Sequence, residues 1–482
     1  MRLTAAVITI TTGLVVSGNC LPAIPQTVLN ANNVDVSDYL QSSLTTDGLL
    51  RHTQTLQKIA DDHNGTRVFG SDGHISTVSY ISRFTITSGY DTWIQPPIRK
   101  KISLKLLSST PSTPLRGVVG VLSYAGLGCD TADYDSAQDK IVLVKRGSCT
   151  FGQKSYAAAK VGARALIVYN NEDGPLSGTL GHDFTDAVPT GAITRDEGHH
   201  LRTLLRQTEV TMRVAIVEKH EQRQTYNVIA ETKGGNKSNV VVLGAHTDSV
   251  FQGPGINDNG SGTAALLELS HLFRNAMPNN AVRFCWFTGE ESGLLGSKYY
   301  VSQLSQDERD KIALYLNFDM IASPNYYNGI YDGDGSDSPI SGPPGSAAIE
   351  RLFQDYFESQ GAGHDPAEFD GRSDYGPFIN VGIPSGGLFT GAEDIKTRAQ
   401  AKKYGGQAGV AYDACYHQAC DTIDNLNTEA FLLHSRAIAH AISTFSQSTH
   451  LIDDQRLERK VWDPTSARQA WSIKARKDNA VA

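Results

Sequence analysis

The chain has no excess of basic residues: 43 Lys plus Arg stand against 51 Asp plus Glu, a formal charge of −8. This argues against a nucleic-acid or anionic-membrane partner, which needs a cationic footprint. Beyond the amino terminus no segment reaches the ~20 uninterrupted apolar residues of a helical membrane span, so no membrane is expected as partner. Low-complexity composition is also missing. Hydrophobic residues at 40% and charged residues at 20% are globular values, and 45 Gly with 18 Pro add loops without repeats. Extensive disorder is disfavoured. Cysteine is scarce, six in 482 residues, so disulfides can act as a few staples but not as a scaffold. The length is roughly three times a ~150-residue domain, which predicts one large domain and a smaller one and not a lone binding module.

At the amino terminus Arg2 precedes the uncharged run 3–16, followed by the small residues Ser17 and Gly18. This reads as a secretory signal peptide over 1–18, the alternative being a first strand or buried helix, and it predicts a secreted, extracellular protein. We pair Cys129 with Cys149 and Cys415 with Cys420; Cys285, within the alternating run 282–287, is expected to be a buried free thiol, and Cys20 lies beside the cleavage point. Asn64 and Asn236 head glycosylation sequons in loop-like surroundings. Asn259 heads a third by formula, but its neighbours argue against occupancy.

Residues 19–45 are polar and without pattern, suiting a linker or a propeptide. Leu49, Leu56, Ile59 and Ala60 have helical spacing, ending near His63-Asn64-Gly65; a second stretch, 77–87, precedes Gly89 and the strand-like Thr92-Trp93-Ile94. From about 115 to 216 short apolar runs alternate with Gly and Asp, predicting strands at 117–122, 140–144 and 165–169 with a helix at 151–161. The stretch "DKIVLVKRGSCTFGQKSYAAAKVGARALIVYNN" resembles a protease-associated domain, which implies a small β-rich insertion, bounded here as 111–218. An ordinary β-domain with no role toward substrate is the competing reading.

After Val228 strands and helices alternate: 240–245, a helix at 262–273, then 282–287, 313–318, and a helix at 347–359. Ile349, Leu352, Phe353, Tyr356 and Phe357 form one apolar face of the last. The fold class is α/β, with a mixed, mostly parallel central sheet flanked by helices whose carboxyl ends carry the ligand site. The tail, 451–482, is charged and without obvious role.

The chemistry gathers at those strand ends. Strand 240–245 runs into His246-Thr-Asp248, and Asp258 follows just before a helix; the next strand ends at Glu290-Glu291, and the one after at Asp319. His417 lies within "CYHQACD", inside the expected disulfide loop. One strand-terminal Asp is more often a helix cap or turn residue, and one His a satisfied polar group. Several together are different, because crowded buried carboxylates repel each other unless a cation neutralises them. His246, His417, Asp258, Glu291 and Asp319 offer nitrogen and oxygen donors and no thiolate, which suits two Zn2+ per chain. Four positive charges against three carboxylates leave one that a bridging hydroxide cancels, and that hydroxide is the expected nucleophile. Glu290, next to a ligand but expected to point elsewhere on an extended backbone, becomes the candidate general base.

The segments "GAHTDSVFQGPGINDNGSGTAALLELS", "RFCWFTGEESGLLGSKYY", "LNFDMIASPN", "DGRSDYGPFINVGIPSGGLFTGAE" and "CYHQACDT" resemble the co-catalytic zinc aminopeptidases of metallopeptidase family 28, nearest to secreted fungal leucyl aminopeptidases. The resemblance runs from about Leu49 to Ser446 and implies peptidase segments 46–110 and 219–450 around the insertion. It assigns His246 and Asp319 to one zinc, Glu291 and His417 to the other, and Asp258 to both. Glu290 would shuttle the proton, Asp248 would orient the His246 imidazole, and Tyr416 would donate to the developing oxyanion. It further implies an enzyme, a metallo-aminopeptidase. Its partners would be peptide or protein N-termini and its state a monomer; if Met320 and Phe389 line the pocket, the first side chain is large and apolar, such as Leu, Phe or Met.

Arg372 matches a position near the substrate backbone; the bland alternative is a surface arginine paired with Asp370 or Asp374. Met320 and Phe389 are expected to line the pocket for the first side chain, core packing being the competing reading. Two other functions stay open. A metallocarboxypeptidase of the same fold would need clustered arginines, and only Arg372 lies near the motifs; a receptor-like ectodomain would be expected to have lost ligands that this chain keeps. Glutaminyl cyclisation, a third, needs only one zinc.

Overall fold

The computed structural model describes residues 35–456, apart from 96–97, 104–106, 109, 115, 136, 172–175, 177, 181–185, 217–219 and 339, and residues 463–465 and 467. The signal-peptide reading, Cys20, residues 19–34 and most of the charged tail lie outside these described residues.

The large domain is built on eight strands: β1 Asp91–Ile94, β2 Val228–Glu231, β3 Asn236–His246, β4 Asn280–Phe287, β5 Ile312–Phe318, β6 Gly329–Tyr331, β7 Asp365–Ala367 and β8 Ser385–Phe389. Their order across the sheet is β1-β2-β4-β3-β5-β8-β6-β7. The pairs β3–β4, β3–β5, β5–β8 and β6–β7 are parallel, whereas β1–β2, β2–β4 and β6–β8 are antiparallel. The sheet is therefore mixed with a parallel centre, as expected.

Every residue of β5, Ile-Ala-Leu-Tyr-Leu-Asn-Phe, is buried, because helices cover both faces and the polar alternation of a one-sided strand is lost. Val241, Leu243 and Ala245 of β3 join one core cluster and Val240 and Val242 the other, following the two-residue period. The first cluster takes the helices Gly260–Phe273, Ser346–Ser359 and Thr428–Gln447. The second takes Leu295–Gln303 and Tyr375–Ile379, with Tyr315 stacked on Phe378 at a centroid distance of 3.8 Å. Ile349, Leu352, Phe353, Tyr356 and Phe357 are all buried on the expected helix face. Cys285 is a buried free thiol on β4.

Two terminal readings are corrected. The patternless stretch 19–45 contains a helix, Val36–Ser43, capped by Asp35, whose carboxylate accepts from Ser37 N at 2.8 Å. Leu40 and Leu44 are fully buried in the main core, with Val36 and Tyr39 packed beside them. Serines and acids between these apolar positions hide an i, i+3, i+4, i+8 stripe. At the other end, the helix His450–Arg456 buries Ile452 in the same core, so the large domain does not stop at 450.

The insertion is a five-stranded sheet in the order Thr190–Ile193, Ala165–Tyr169, Ile141–Lys145, Val118–Tyr124, Thr211–Val214, with its own core and the helices Phe151–Lys160 and Arg195–Leu205. An antiparallel ribbon, Ile98–Ser103 with His220–Thr225, leads in and out. Leu107–Ser108 already pairs with Gly178–Thr179, so the chain enters the insertion before residue 111; a two-residue strand has no periodicity to read. The disulfide Cys129–Cys149 lies within it.

Candidate metal centre

His246 is the last residue of β3, Glu290 and Glu291 follow β4, and Asp319 follows β5. Because β4, β3 and β5 are adjacent and parallel, their carboxyl ends bring these side chains to one cleft. Asp258 arrives on the loop before helix Gly260–Phe273. The helix-capping residue Asn259 laces that loop to the end of β5, donating to Phe318 O at 2.9 Å and accepting from Met320 N at 3.3 Å. Asn259 is fully buried, consistent with its sequon being unoccupied. His417 sits in the Cys415–Cys420 loop with φ +56°, the left-handed region that a non-glycine residue adopts only when its surroundings impose it.

The Asp258 carboxylate lies between the two imidazoles: Oδ1 is 3.1 Å from His246 Nε2 and Oδ2 is 3.1 Å from His417 Nε2. Asp319 Oδ1 is 3.3 Å from His246 Nε2, and Glu291 Oε2 is 3.0 Å from His417 Nε2. Three overlapping donor triads result, His246-Asp258-Asp319, Asp258-Glu291-His417 and His246-Glu290-Glu291, with the donor atoms of each within 4.8 Å of one another; the first two share Asp258 and account for all five expected ligands. Asp319 Oδ1 and Glu291 Oε1 are buried and accept no hydrogen bond. Burial, with Asp258 beside it, pushes the Glu291 carboxyl up to about 7, and burial raises Glu290 well above the carboxylate range. Orphaned oxygens and carboxylates that resist ionising together are what bound cations would relieve, and the nitrogen and oxygen donor set fits two divalent ions such as zinc sharing Asp258.

The neighbours of these residues depart from expectation in two places, and Arg372 departs only from its bland alternative. Asp248 meets the His246 imidazole mainly through its backbone carbonyl, which accepts from Nδ1 at 3.2 Å; its carboxylate is 3.7 Å away and instead accepts from the Glu290 amide at 3.2 Å. Glu290 does not point elsewhere. Its Oε2 lies 4.0 Å from His246 Nε2, because β4 ends at Phe287 and Gly289 turns the backbone at φ +66°. Arg372 pairs with Glu393 at 2.8 Å, not through its guanidinium with Asp370 or Asp374, and donates to Tyr416 Oη at 3.1 Å. The Tyr416 ring stacks on His417 at 3.8 Å, and burial keeps its phenol protonated far above neutrality.

Beside the carboxylates opens a cavity of about 300 Å³, lined by Met320, Phe389, Tyr327, Tyr331 and Tyr412 as well as Arg372 and Tyr416. Both residues expected at the pocket are there. Three further residues at the site are not singled out in the sequence. Ser373 donates to Asp319 Oδ2 at 2.6 Å; Asp421 accepts from the amides of Asn257 and Asp258; and the buried Arg67 donates to backbone carbonyls around both. Ser373 and Asp421 lie inside motifs already quoted, whereas nothing around Arg67 sets it apart.

A mixed sheet that directs imidazoles and carboxylates into one cleft defines a candidate metal-binding centre at the carboxyl ends of its strands. Residues 227–442 match peptidase family M28 and residues 117–201 the PA domain. The chain is 46% identical over 429 residues to leucine aminopeptidase 2 of Arthroderma otae, covering 86% of each, and 47% identical over 428 residues to a probable leucine aminopeptidase 2 of Aspergillus oryzae, covering 85% of this chain and 86% of that one. Among solved structures, an aminopeptidase from Aneurinibacillus sp. strain AM-1 superposes with a TM-score of 0.66 at 28% identity, over 84% of this chain and 95% of that one. The chain belongs to peptidase family M28, with a PA domain inserted into the peptidase fold, and it is a hydrolase.

Proposed function

We propose that this protein is a secreted di-zinc aminopeptidase that removes a large apolar N-terminal residue, such as leucine, from peptides and proteins. The observation that carries the reading is the Asp258 carboxylate spanning two imidazoles, each accompanied by its own second carboxylate. His246 and Asp319 would hold one zinc and Glu291 and His417 the other, with Asp258 on both. Bound there, the ions would supply Lewis acidity toward a peptide carbonyl and toward water.

The remaining work falls to side chains of the chain itself. Glu290, inside the cleft and positioned by its amide on Asp248, would take a proton from the attacking water and return it to the leaving amine. Tyr416 already accepts from Arg372, which leaves its own O–H free to donate to the developing oxyanion. Arg372 would lie along the substrate backbone, tethered by Glu393. Met320 and Phe389, with the neighbouring tyrosines, would enclose an apolar first side chain, while the carboxylates Glu290 and Asp319 attract its free ammonium. The names of the two fungal relatives favour the same substrate class. A carboxypeptidase reading is weakened because Arg372 is the only arginine lining the cavity among the described residues, and Glu393 already neutralises it.

Export is supported by the signal-like residues 1–18 and by the disulfides Cys129–Cys149 and Cys415–Cys420. Asn64 and Asn236 are exposed and would carry glycans. No helix among the described residues is long and apolar enough to cross a membrane. The function is tested with Leu-4-nitroanilide beside its amino-blocked analogue, each with and without chelator. Only the free amine should be cleaved, and chelator should abolish the cleavage; equal hydrolysis of the blocked compound would reject an exopeptidase.

A further inference from the structure

The loop that carries Asp258 is gripped by two buried ionisable side chains that belong to no donor triad. Arg67 is fully buried, and its guanidinium donates to Pro254 O at 3.0 Å, to Gly255 O at 2.6 Å and to Thr247 O. Thr247 follows His246 directly and Gly255 stands three residues before Asp258, so one rigid fork ties the end of β3 to the Asp258 loop. The approach is close: a Cβ on Gly255, at φ +64°, would lie 2.3 Å from Asp258 O and 2.7 Å from Ser249 Cβ. Asp421 works from the other side. Its Oδ1 accepts from Asn257 N at 2.8 Å and its Oδ2 from Asp258 N at 3.1 Å. It stands four residues after His417, and its own carbonyl accepts from Ile256 N at 3.0 Å, so it ties the same loop to the turn that bears the second imidazole.

The guanidinium thus takes the carbonyls of the loop and the Asp421 carboxyl takes its amides. Among the described residues Arg67 forms no ion pair; its N–H groups go to backbone carbonyls, while its charge is attracted at longer range by Asp248, Asp421, Asp258 and Glu291. Burying an ion in that way is costly, and an ordinary turn could hold a loop without it. What the two side chains add is short, strong hydrogen bonds of fixed direction.

We propose that Arg67 and Asp421 are positioning residues, a paired clamp that sets Asp258 at equal reach of His246 and His417 and so lets one carboxylate span two cations. This rests on the di-zinc reading. It predicts that zinc binding depends on side chains that never touch zinc.

The test uses the full secreted chain and its Arg67→Lys and Asp421→Asn variants, with zinc content, zinc affinity by chelator competition, and melting temperature of the metal-free protein. Wild type should hold two zinc ions. Each variant should bind at least one of them about 10- to 100-fold more weakly, the usual effect of losing an outer partner, with the metal-free melting temperature falling by much less than the zinc-loaded one. Equal loss of melting temperature with and without zinc, at unchanged affinity, would reduce both residues to general scaffolding and overturn the clamp. Asp421→Asn, of unchanged size, decides alone if Arg67→Lys does not yield folded protein. A wild type that binds fewer than two zinc ions would instead overturn the di-zinc reading, and the clamp with it.

Discussion

The two halves of the candidate centre are built differently. His246 ends a central strand with a side chain 1% exposed, and its partner Asp319 directly follows the adjacent strand. His417 lies on a disulfide-closed turn, 36% exposed, and its partner Glu291 lies on the turn after β4. The first half inherits its geometry from the sheet, which cannot shift without disturbing the core. The second is assembled from loops and must be held by local devices: the Cys415–Cys420 link, the stacked Tyr416 and the Asp421 hydrogen bonds. A strand-end half should keep its ion tightly, and a loop half should exchange it more readily.

The largest effect should come from the residue pair that lies across this division. Glu290→Gln should lower kcat by roughly 10²–10⁴-fold, the range for losing a general base, while both zinc ions stay bound. Glu291→Gln should instead release the ion of the loop half. Zinc analysis of the two purified variants separates them; metal loss from Glu290→Gln with residual activity would mean that the roles of the two glutamates are exchanged.

Removing one imidazole at a time tests the comparison itself. His417→Ala should leave one zinc per chain and a residual activity, whereas His246→Ala should lose the ion at the strand end, misplace Asp258 for the other and lower activity further. In wild type, chelator should withdraw zinc in two phases, the faster belonging to the loop half. A single phase with equal losses from both variants would show that the two halves are one unit. A smaller effect is expected for Cys415→Ser with Cys420→Ser. So short a loop restricts the unfolded chain by only ~2 kcal/mol, so the protein should fold, with the loop half binding zinc about tenfold more weakly and the strand-end half unchanged.

The same division separates what the amino-acid sequence makes legible from what it hides. The strand-end half is legible because the mainly apolar segments 240–245, 282–287 and 313–318 run into His246, into Glu290-Glu291 past two intervening residues, and into Asp319, so hydrophobic pattern and polar chemistry mark one boundary. His417 is legible only through the flanking cysteines of "CYHQACD" and the resemblance to a known family. Arg67 is hidden, because its partners lie 180 to 188 residues away and its function is to bind backbone carbonyls, which have no sequence signature. Extended backbone past the end of β4 would turn Glu290 away from the ligands, but Gly289 breaks the alternation and turns it in. Asp248 shows a related limit: residue identity points to its carboxylate, while the atom facing the imidazole is its carbonyl.

Burial alone does not make a histidine a ligand, and His434 sharpens that point. It is as buried as His246, yet its Nε2 meets only Asn328 Oδ1 at 3.0 Å and its Nδ1 has no hydrogen-bond partner. Among the described residues no carboxylate pairs with it, and burial pulls its pKa down to about 3. Below its ordinary pKa of 6.5 the unfolded chain takes up a proton that the folded chain refuses. Its contribution to stability is therefore complete above pH 6.5 and is lost progressively as the pH falls toward 3. Between pH 6.5 and 5.5 the loss should be about 1 kcal/mol, by linkage for one such group. Urea unfolding of the metal-free protein across that interval should show this slope, and His434→Leu, although less stable overall because Asn328 loses its partner, should flatten it by the same amount. An unchanged slope in the variant would mean that His434 is protonated in the folded core, and that the distinction drawn between an isolated buried imidazole and one surrounded by carboxylates does not hold.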